Sequence, residues 1–278
     1  CLTYEEYLID SLQQALAVFE TVEEVQDYSI NFYEGNDAIE LIETSQFSFS
    51  ENLSVNFDFN YTSSENYQIL IAYSDWGELS IANSQFFVEI APNDNQLNYI
   101  HEYGDGNNEH IEFQYQFEES EWYSVNITRD INIKEVRLYI EGNLEETYNY
   151  GNNPTGGSSA KLEFGNQNNS QCGNGGCDYD GKIDNIIIFD RLTSQEEIQS
   201  FLSCPPNGSE EGLVGYWNFN EGSGDTVYDI SGNGNHGVII GAEFSEDVPE
   251  SQTGCTDVNA LNFVAEALCD NGSCVYGN

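Results

Sequence analysis

Asp229-Ile-Ser-Gly-Asn-Gly-Asn235 sets carboxylate and amide oxygens on a glycine-rich stretch. A hard divalent cation takes about six to eight such oxygens, so Asp229, Asn233 and Asn235 are candidate calcium ligands. The same residues also suit an Asn-Gly turn carrying a solvated aspartate. Asp257, Asn259, Asp270 and Asn271 form a second, weaker candidate near the C-terminus. Asp178 and Asp180 form a third, read more readily as solvent-facing.

Catalytic constellations are missing from the sequence pattern. The three histidines, His101, His110 and His236, form no His-Glu-x-x-His pair, and no Gly-x-Ser-x-Gly elbow or phosphate loop occurs. Sandwich glucanases use alternating carboxylates on one strand as nucleophile and acid. Here Glu109-His-Ile-Glu112 comes nearest, and its spacing is wrong. The expectation is a non-catalytic protein.

Seven cysteines stand at positions 1, 172, 177, 204, 255, 269 and 274. Clustered cysteines in such a chain predict an oxidising compartment and an extracellular or cell-surface protein. Cys172 and Cys177 are close enough for a small disulfide loop; zinc is the competing reading, disfavoured by the scarcity of histidine. The odd count leaves one thiol over. Cys1 could carry a lipid, pair with another chain or mark an artificial start. Six Asn-x-Ser/Thr triplets, at Asn52, Asn60, Asn126, Asn168, Asn207 and Asn271, fit an extracellular surface.

With 49 acidic residues against 6 basic ones, the formal charge is −43. Such a surface repels phosphate backbones and anionic lipid, which excludes nucleic acid as a partner. Most of this charge reads as a solubilising surface. No apolar run is long enough to span a bilayer, so direct membrane insertion is not expected, and the absence of Met and of a signal peptide suggests a trimmed product.

The elements that must position these groups are mostly strands. Residues Tyr4 to Val25 hold the one long helical pattern, with Tyr4, Tyr7, Leu8, Leu12, Ala15, Leu16, Phe19 and Val22 on one face and a Thr3–Glu6 capping box. From Tyr28 the period becomes two, giving about ten short strands between Gly/Asn/Asp turns, then a short capped helix at Thr193–Ile198. Many short strands without intervening helices mean a sandwich or barrel.

Three segments then carry a resemblance: YSINFYEGNDAIEL from Tyr28, EWYSVNITRDINIKEVRLYIEGNL from Glu121, and YDGKIDNIIIFDRLTSQEEIQSF from Tyr179. In order and spacing they resemble the laminin-G-like, concanavalin-A-like jelly-roll family over about Tyr28 to Phe244. The resemblance implies an all-β jelly-roll sandwich, here with an N-terminal helix and a small disulfide- or metal-stabilised C-terminal segment. It also implies calcium as a cofactor, with Asp184 of the closing strand beside the Asp229 loop, and a sugar-binding face as a common role. Rim aromatics would stack on sugars there, and Trp76, Tyr99, Tyr103 and Trp122 are candidates, although Trp122 and Trp217 lie in patterns typical of core.

One departure from the family concerns order. The segment GLVGYWNFNEGSGDTVYDISGNGNHGVIIGAEF, normally first, arrives last at Gly212 to Phe244. Its strands must complete a sheet, either of their own chain, which is favoured, or of a neighbour. The expected organisation is therefore a helix over 1–27, a jelly roll over 28–203, a linker over 204–211, a completing strand pair over 212–250 and a small Cys-containing repeat over 251–278. The last resembles the short GCTD…DNGSC repeats of large surface proteins from Bacteroidetes-type marine bacteria. That resemblance makes Cys255–Cys274 the natural disulfide and Cys269 the unexpected cysteine. The leading functional expectation is a self-assembling subunit, a homo-oligomer or polymer, of an extracellular fibre or layer. The alternative is a calcium-dependent module that binds glycans or mediates adhesion within a larger surface protein.

Overall fold

The computed structural model describes residues 26–33, 35, 37–42, 47, 49–74, 84–92, 95–104, 107–155, 161–166, 177–250, 253–270 and 272–276. The expected N-terminal helix, Trp76, Cys1, Cys172 and Asn271 lie outside them. Two compact units are present. Asp27–Gln199 with Pro206–Pro249 makes the larger, while Ser200–Pro205 and Glu250–Asn278 belong to the smaller.

The larger unit is a pair of antiparallel sheets, and its first four strands alternate between them. In chain order come β1 (Ser29–Phe32), β2 (Ala38–Leu41), β3 (Leu53–Tyr61), β4 (Gln68–Ser74), β5 (Ser84–Ile90), β6 (Leu97–Gly104), β7 (Asn107–Glu112) and β8 (Tyr123–Asp130). There follow β9 (Glu135–Ile140), β10 (Asn143–Asn149), β11 (Lys161–Phe164), β12 (Gly181–Phe189), the helix α1 (Gln195–Phe201), β13 (Leu213–Trp217), β14 (Thr226–Val227), β15 (Gly237–Ile240) and β16 (Glu243–Ser245). One sheet runs β10-β9-β8-β3-β12-β1-β16, with β13 beside the far half of β12. The other runs β14-β15-β2-β11-β4-β5-β6-β7.

The late segment closes both sheets of its own chain. Ile187 of β12 pairs with Tyr216 of β13, Ile39 of β2 with Ile239 of β15, and Ile30 of β1 with Phe244 of β16. These unions cover the edges that β1, β2 and β12 would otherwise expose.

Alternation supplies the core. Val55, Phe57, Phe59 and Tyr61 of β3 point between the sheets, as do Phe86, Val88 and Ile90 of β5. Trp217 is fully buried, its ring centroid 5.1 Å from Phe164, and its indole N–H donates to Asn235 O at 2.9 Å. Its ring lies so close over Gly215 that a Cβ there would sit 2.2 Å from it. Each large side chain buried this way contributes roughly 1.5–3 kcal/mol.

Helix α1 begins with a reciprocal cap. Ser194 N–H donates to Glu197 Oε2 at 2.9 Å, and Glu197 N–H donates to Ser194 Oγ at 3.2 Å. This box satisfies two first-turn donors. The cap is therefore Ser194, within the Thr193–Ile198 pattern.

Candidate functional site

Two polar surfaces lie on the outward faces of the sheets, and both are far more buried than outer faces usually are. On the first sheet, Ser54, Asn56, Asp58 and Asn60 are the outward residues of β3, and none is more than 9% exposed. Asp58 stands directly opposite Asp184 of β12. Just beyond, the register slips and Asn185 takes φ +49°, a bulge that asparagine tolerates better than most residues.

The bulge turns Asn185 toward Asp58, and its Nδ2 donates to Asp58 Oδ2 at 3.0 Å. Asn185 Oδ1 accepts the Tyr216 hydroxyl at 3.1 Å, and Asp184 Oδ1 accepts the Asn185 N–H at 2.7 Å. Asp184 Oδ2 is buried without a hydrogen-bond partner. Burial pushes the Asp58 carboxyl up to about 7, although hydrogen bonds from Ser124 and Asn185 pull the other way. Burial, then the charges of Asp58 and Asp27, raise Asp184 well above the ordinary carboxylate range. Desolvated like charges disfavour joint ionisation, so these two carboxyls resist being charged together.

In the 229–235 loop the carboxylate and the amide N–H groups of the expected site are engaged with backbone, and Asn235 Oδ1 is buried without a hydrogen-bond partner. Asp229 Oδ1 accepts the N–H groups of Tyr216 and Ser231 at 3.0 and 2.9 Å, and Oδ2 accepts that of Asn235 at 2.9 Å. Asn233 Nδ2 and Asn235 Nδ2 donate to Val214 O at 3.1 and 2.8 Å. The carboxylate thus caps its own turn and joins it to β13. Asp184 has Asp58 directly opposite it in register, whereas Asp229 is bonded to the backbone N–H of Tyr216.

On the second sheet, the outward residues form two rows. Glu40, Glu163, Ala72, Phe87, Ile100 and His110 follow one another in register across β2, β11, β4, β5, β6 and β7. In the next row Ile69, Glu89, Asn98 and Glu112 are in register. Ile69, Ala72 and Cys177 form a small buried apolar cluster, with Phe87 packed against it.

Carboxylates border this floor. Asn98 Nδ2 donates to Glu89 Oε1 at 3.2 Å, whereas Asn98 Oδ1 is buried without a partner. Burial pushes the Glu89 carboxyl up to about 7, opposed by the Asn98 bond. Lys161 Nζ stands 3.9 Å from Glu40 Oε2.

The remaining expected residues fall elsewhere. Tyr99 cannot stack on a sugar: it is 1% exposed in the core, and its hydroxyl accepts Arg129 Nη1 at 2.7 Å. The fully buried Arg129 also donates through Nη2 to Phe49 O and, at 2.7 Å, to Glu51 O. Tyr103 is half-buried near the end of β6, and Trp122 is half-buried with its N–H on Asp247 Oδ1 at 3.0 Å. His101 is buried with Nε2 2.7 Å from Asn152 O, and burial lowers its pKa to about 4.

In the small unit, Cys255 is bonded to Cys274 and Cys204 to Cys269. The second bridge gives Cys269 a partner outside the repeat itself. Cys177 is also disulfide-bonded, and the expected pairing with Cys172 lies outside the described residues. The strands of this unit, β17 (Thr253–Gly254) and β18 (Cys269–Asp270), pair in parallel. Asp257 accepts Asn259 N–H at 2.9 Å and the Tyr276 hydroxyl at 2.7 Å, while Asp270 accepts Gly272 N–H at 2.9 Å. These carboxylates serve turns. Asp178 accepts Asn166 Nδ2 at 2.9 Å. Among the described residues, no three His, Cys, Asp or Glu side chains gather as a metal site.

Two antiparallel sheets sharing an aromatic core, with polar outer faces, define a lectin-type sandwich. A model of the concanavalin A-like lectin/glucanases superfamily, the laminin-G-like family 3, matches residues 34–199, and the chain belongs to that family. No curated protein matches the sequence. Among solved structures, a protein of Bacteroides ovatus assigned as carbohydrate-binding is similar at 14% identity and TM-score 0.59. That match covers 79% of this chain and 60% of the other, so the chain spans less than two thirds of that protein. A heptameric SAP-like pentraxin of Limulus polyphemus is similar at 16% identity and TM-score 0.51, over 66% of this chain and 87% of its own. The CBM40 of the Ruminococcus gnavus IT-sialidase, bound to α2,3-sialyllactose, is similar at 14% identity and TM-score 0.50, over 64% and 98%. At these identities the likeness is one of fold.

Proposed function

We propose that this chain is a non-catalytic carbohydrate-binding module of an extracellular protein, and that the outward face of its second sheet holds the saccharide. The observation that carries the reading is the half-buried Phe87 on the outward face, with exposed His110 and Glu112 on the nearby strand β7 and the buried Ile69–Ala72 cluster and Glu89–Asn98 pair beneath. Saccharides offer apolar ring faces and converging hydroxyls, and sites that take them combine a flat apolar surface with a few fixed polar groups. Family membership and the carbohydrate-binding proteins of like fold support this reading over a fibre subunit. The disulfides favour an oxidising, extracellular setting. A homo-oligomer remains compatible with it.

Calcium enters as the cation of the Asp58–Asp184 pair. The orphaned Asp184 Oδ2 and the facing Asp58 carboxylate are hard oxygen donors of the type that calcium takes. A cation there would neutralise both and fix the bulge at Asn185, behind the sheet rather than at the sugar.

Retention on insoluble polysaccharides tests the function. The full chain is expected to be depleted from solution by at least one polysaccharide and released by its soluble oligomer. Indifference to a broad panel, or hydrolysis of any member, would contradict it.

A further inference from the structure

The other end of the second sheet, at β14, β15 and β2, carries side chains open to solvent. Val227 and Leu41 belong to the core, so their neighbours Tyr228 and Ile42 face outward. Tyr228 is 51% exposed and Ile42 62%. Glu221 Oε1 accepts the Tyr228 N–H at 2.8 Å, and the Tyr228 ring meets His236 edge to face, with centroids 5.2 Å apart. His236 Nδ1 accepts the Asp229 N–H at 3.0 Å, which leaves the ring proton on Nε2. The His236 carbonyl accepts the Ile42 N–H at 3.0 Å. Asp229 is itself tied to Tyr216, Ser231 and Asn235, so the 229–235 loop holds His236, and through it Tyr228, in place. Among the described residues, neither the Tyr228 hydroxyl nor His236 Nε2 makes a hydrogen bond.

An exposed aromatic ring fixed in advance, with aliphatic surface and two uncharged donors beside it, matches a pyranose: the ring stacks on its C–H face while the donors meet its hydroxyls. Little side-chain freedom is lost on binding, because Tyr228 is already held. A chain of net charge −43 repels anionic sugars. From β15 to β5 the sheet runs β15-β2-β11-β4-β5, so this ring lies four strand spacings from Phe87, roughly 19 Å at about 4.8 Å each. A disaccharide cannot touch both. A longer chain can, and the second contact then becomes intramolecular and raises the overall affinity. We infer that Tyr228, with His236 and Ile42, forms a second sugar-binding position on this face, and that the ligand is an uncharged polysaccharide chain long enough to reach both positions. The inference rests on the reading of this face as the saccharide site.

Calorimetric titration of the full chain at pH 7 in 0.15 M NaCl tests it, with the dimers and hexamers of β-1,4-linked glucose, xylose and mannose and a uronic-acid hexamer. At least one uncharged hexamer is expected to bind at least tenfold tighter than its dimer, and the uronic-acid hexamer not measurably. Tyr228→Ala, at an exposed position, should bring that hexamer down to the affinity of the dimer while thermal unfolding stays cooperative. Tyr228→Phe, which keeps the ring, should retain the difference between hexamer and dimer. A dimer that binds as tightly as its hexamer, a uronic-acid hexamer that binds as tightly as the uncharged ones, or undiminished hexamer binding by Tyr228→Ala would overturn the inference and leave the saccharide reading standing. Absence of binding by every hexamer would also overturn it, and retention on insoluble polysaccharides then decides the saccharide reading separately.

Discussion

Asp58 and Asp184 face each other across β3 and β12, both buried, and one oxygen of Asp184 has no donor. This pairing explains why the closing strand breaks register at Asn185, which turns its side-chain amide onto Asp58. A carboxyl raised from 3.8 to about 7 contributes stability that is present below about pH 4 and lost as pH climbs through 7.

Calcium should reverse that loss. At pH 8, millimolar calcium is expected to raise the midpoint of thermal unfolding by several degrees, and Asp184→Asn to abolish the response. Without calcium, Asp184→Asn should unfold at a higher temperature than the wild type, because it removes a buried like charge. A calcium response that survives in Asp184→Asn would place the cation elsewhere, and no response in the wild type would remove it.

Glu89 carries the same sign on the other sheet. Its carboxyl is raised from 4.5 to about 7, so Glu89→Gln should match the wild type near pH 4.5 and exceed it at pH 8. A tenfold change in proton affinity corresponds to about 1.4 kcal/mol, so the gain is on the order of 3 kcal/mol. Urea titrations at the two pH values check it; a variant that is less stable at pH 8 would contradict the burial of this carboxyl.

The fold was legible wherever burial was one-sided. The alternation of Val55, Phe57 and Phe59 reads directly as β3, and the run of Gly212 to Phe244 reads as the missing opening strands. Two of the strands that escaped show why. Asn143–Asn149, β10, is an edge strand with mostly exposed residues, so no apolar period marks it. Leu97–Gly104, β6, interleaves Asn98, His101 and Glu102 with its core residues, and burial of polar groups erases the contrast that the period depends on. The site was harder still. Asp58 and Asp184 lie far apart in the chain, and Glu89 and Asn98 come together only through register. The oxygen-rich loop at Asp229 was conspicuous in sequence; its carboxylate caps the turn, while Asn235 Oδ1 is left buried without a hydrogen-bond partner.

Arg129 ties the segment around Phe49 and Glu51 to the core through their carbonyls. Arg129→Met is expected to cost about 3 kcal/mol, since buried carbonyls and the Tyr99 hydroxyl lose their donor. Chemical denaturation measures this, and a loss under about 1 kcal/mol would mean that water replaces the guanidinium freely.

Peptide mapping without reduction should recover a fragment that joins Cys204 to Cys269 and another that joins Cys255 to Cys274. Reduction is expected to expose the 253–276 segment to proteolysis first, since so small a unit has little core of its own. A Cys269–Cys274 or Cys255–Cys269 fragment would contradict the bridge to Cys204.

The central claim is saccharide recognition on the outward face of the second sheet, and a glycan array probed side by side with the wild type and the Glu89→Gln, Asn98→Ala double variant tests it most directly. The wild type is predicted to retain one class of glycan, and the double variant to lose at least tenfold of that signal while still melting cooperatively. Retention of the same glycans by both proteins, or of none by the wild type, would contradict it.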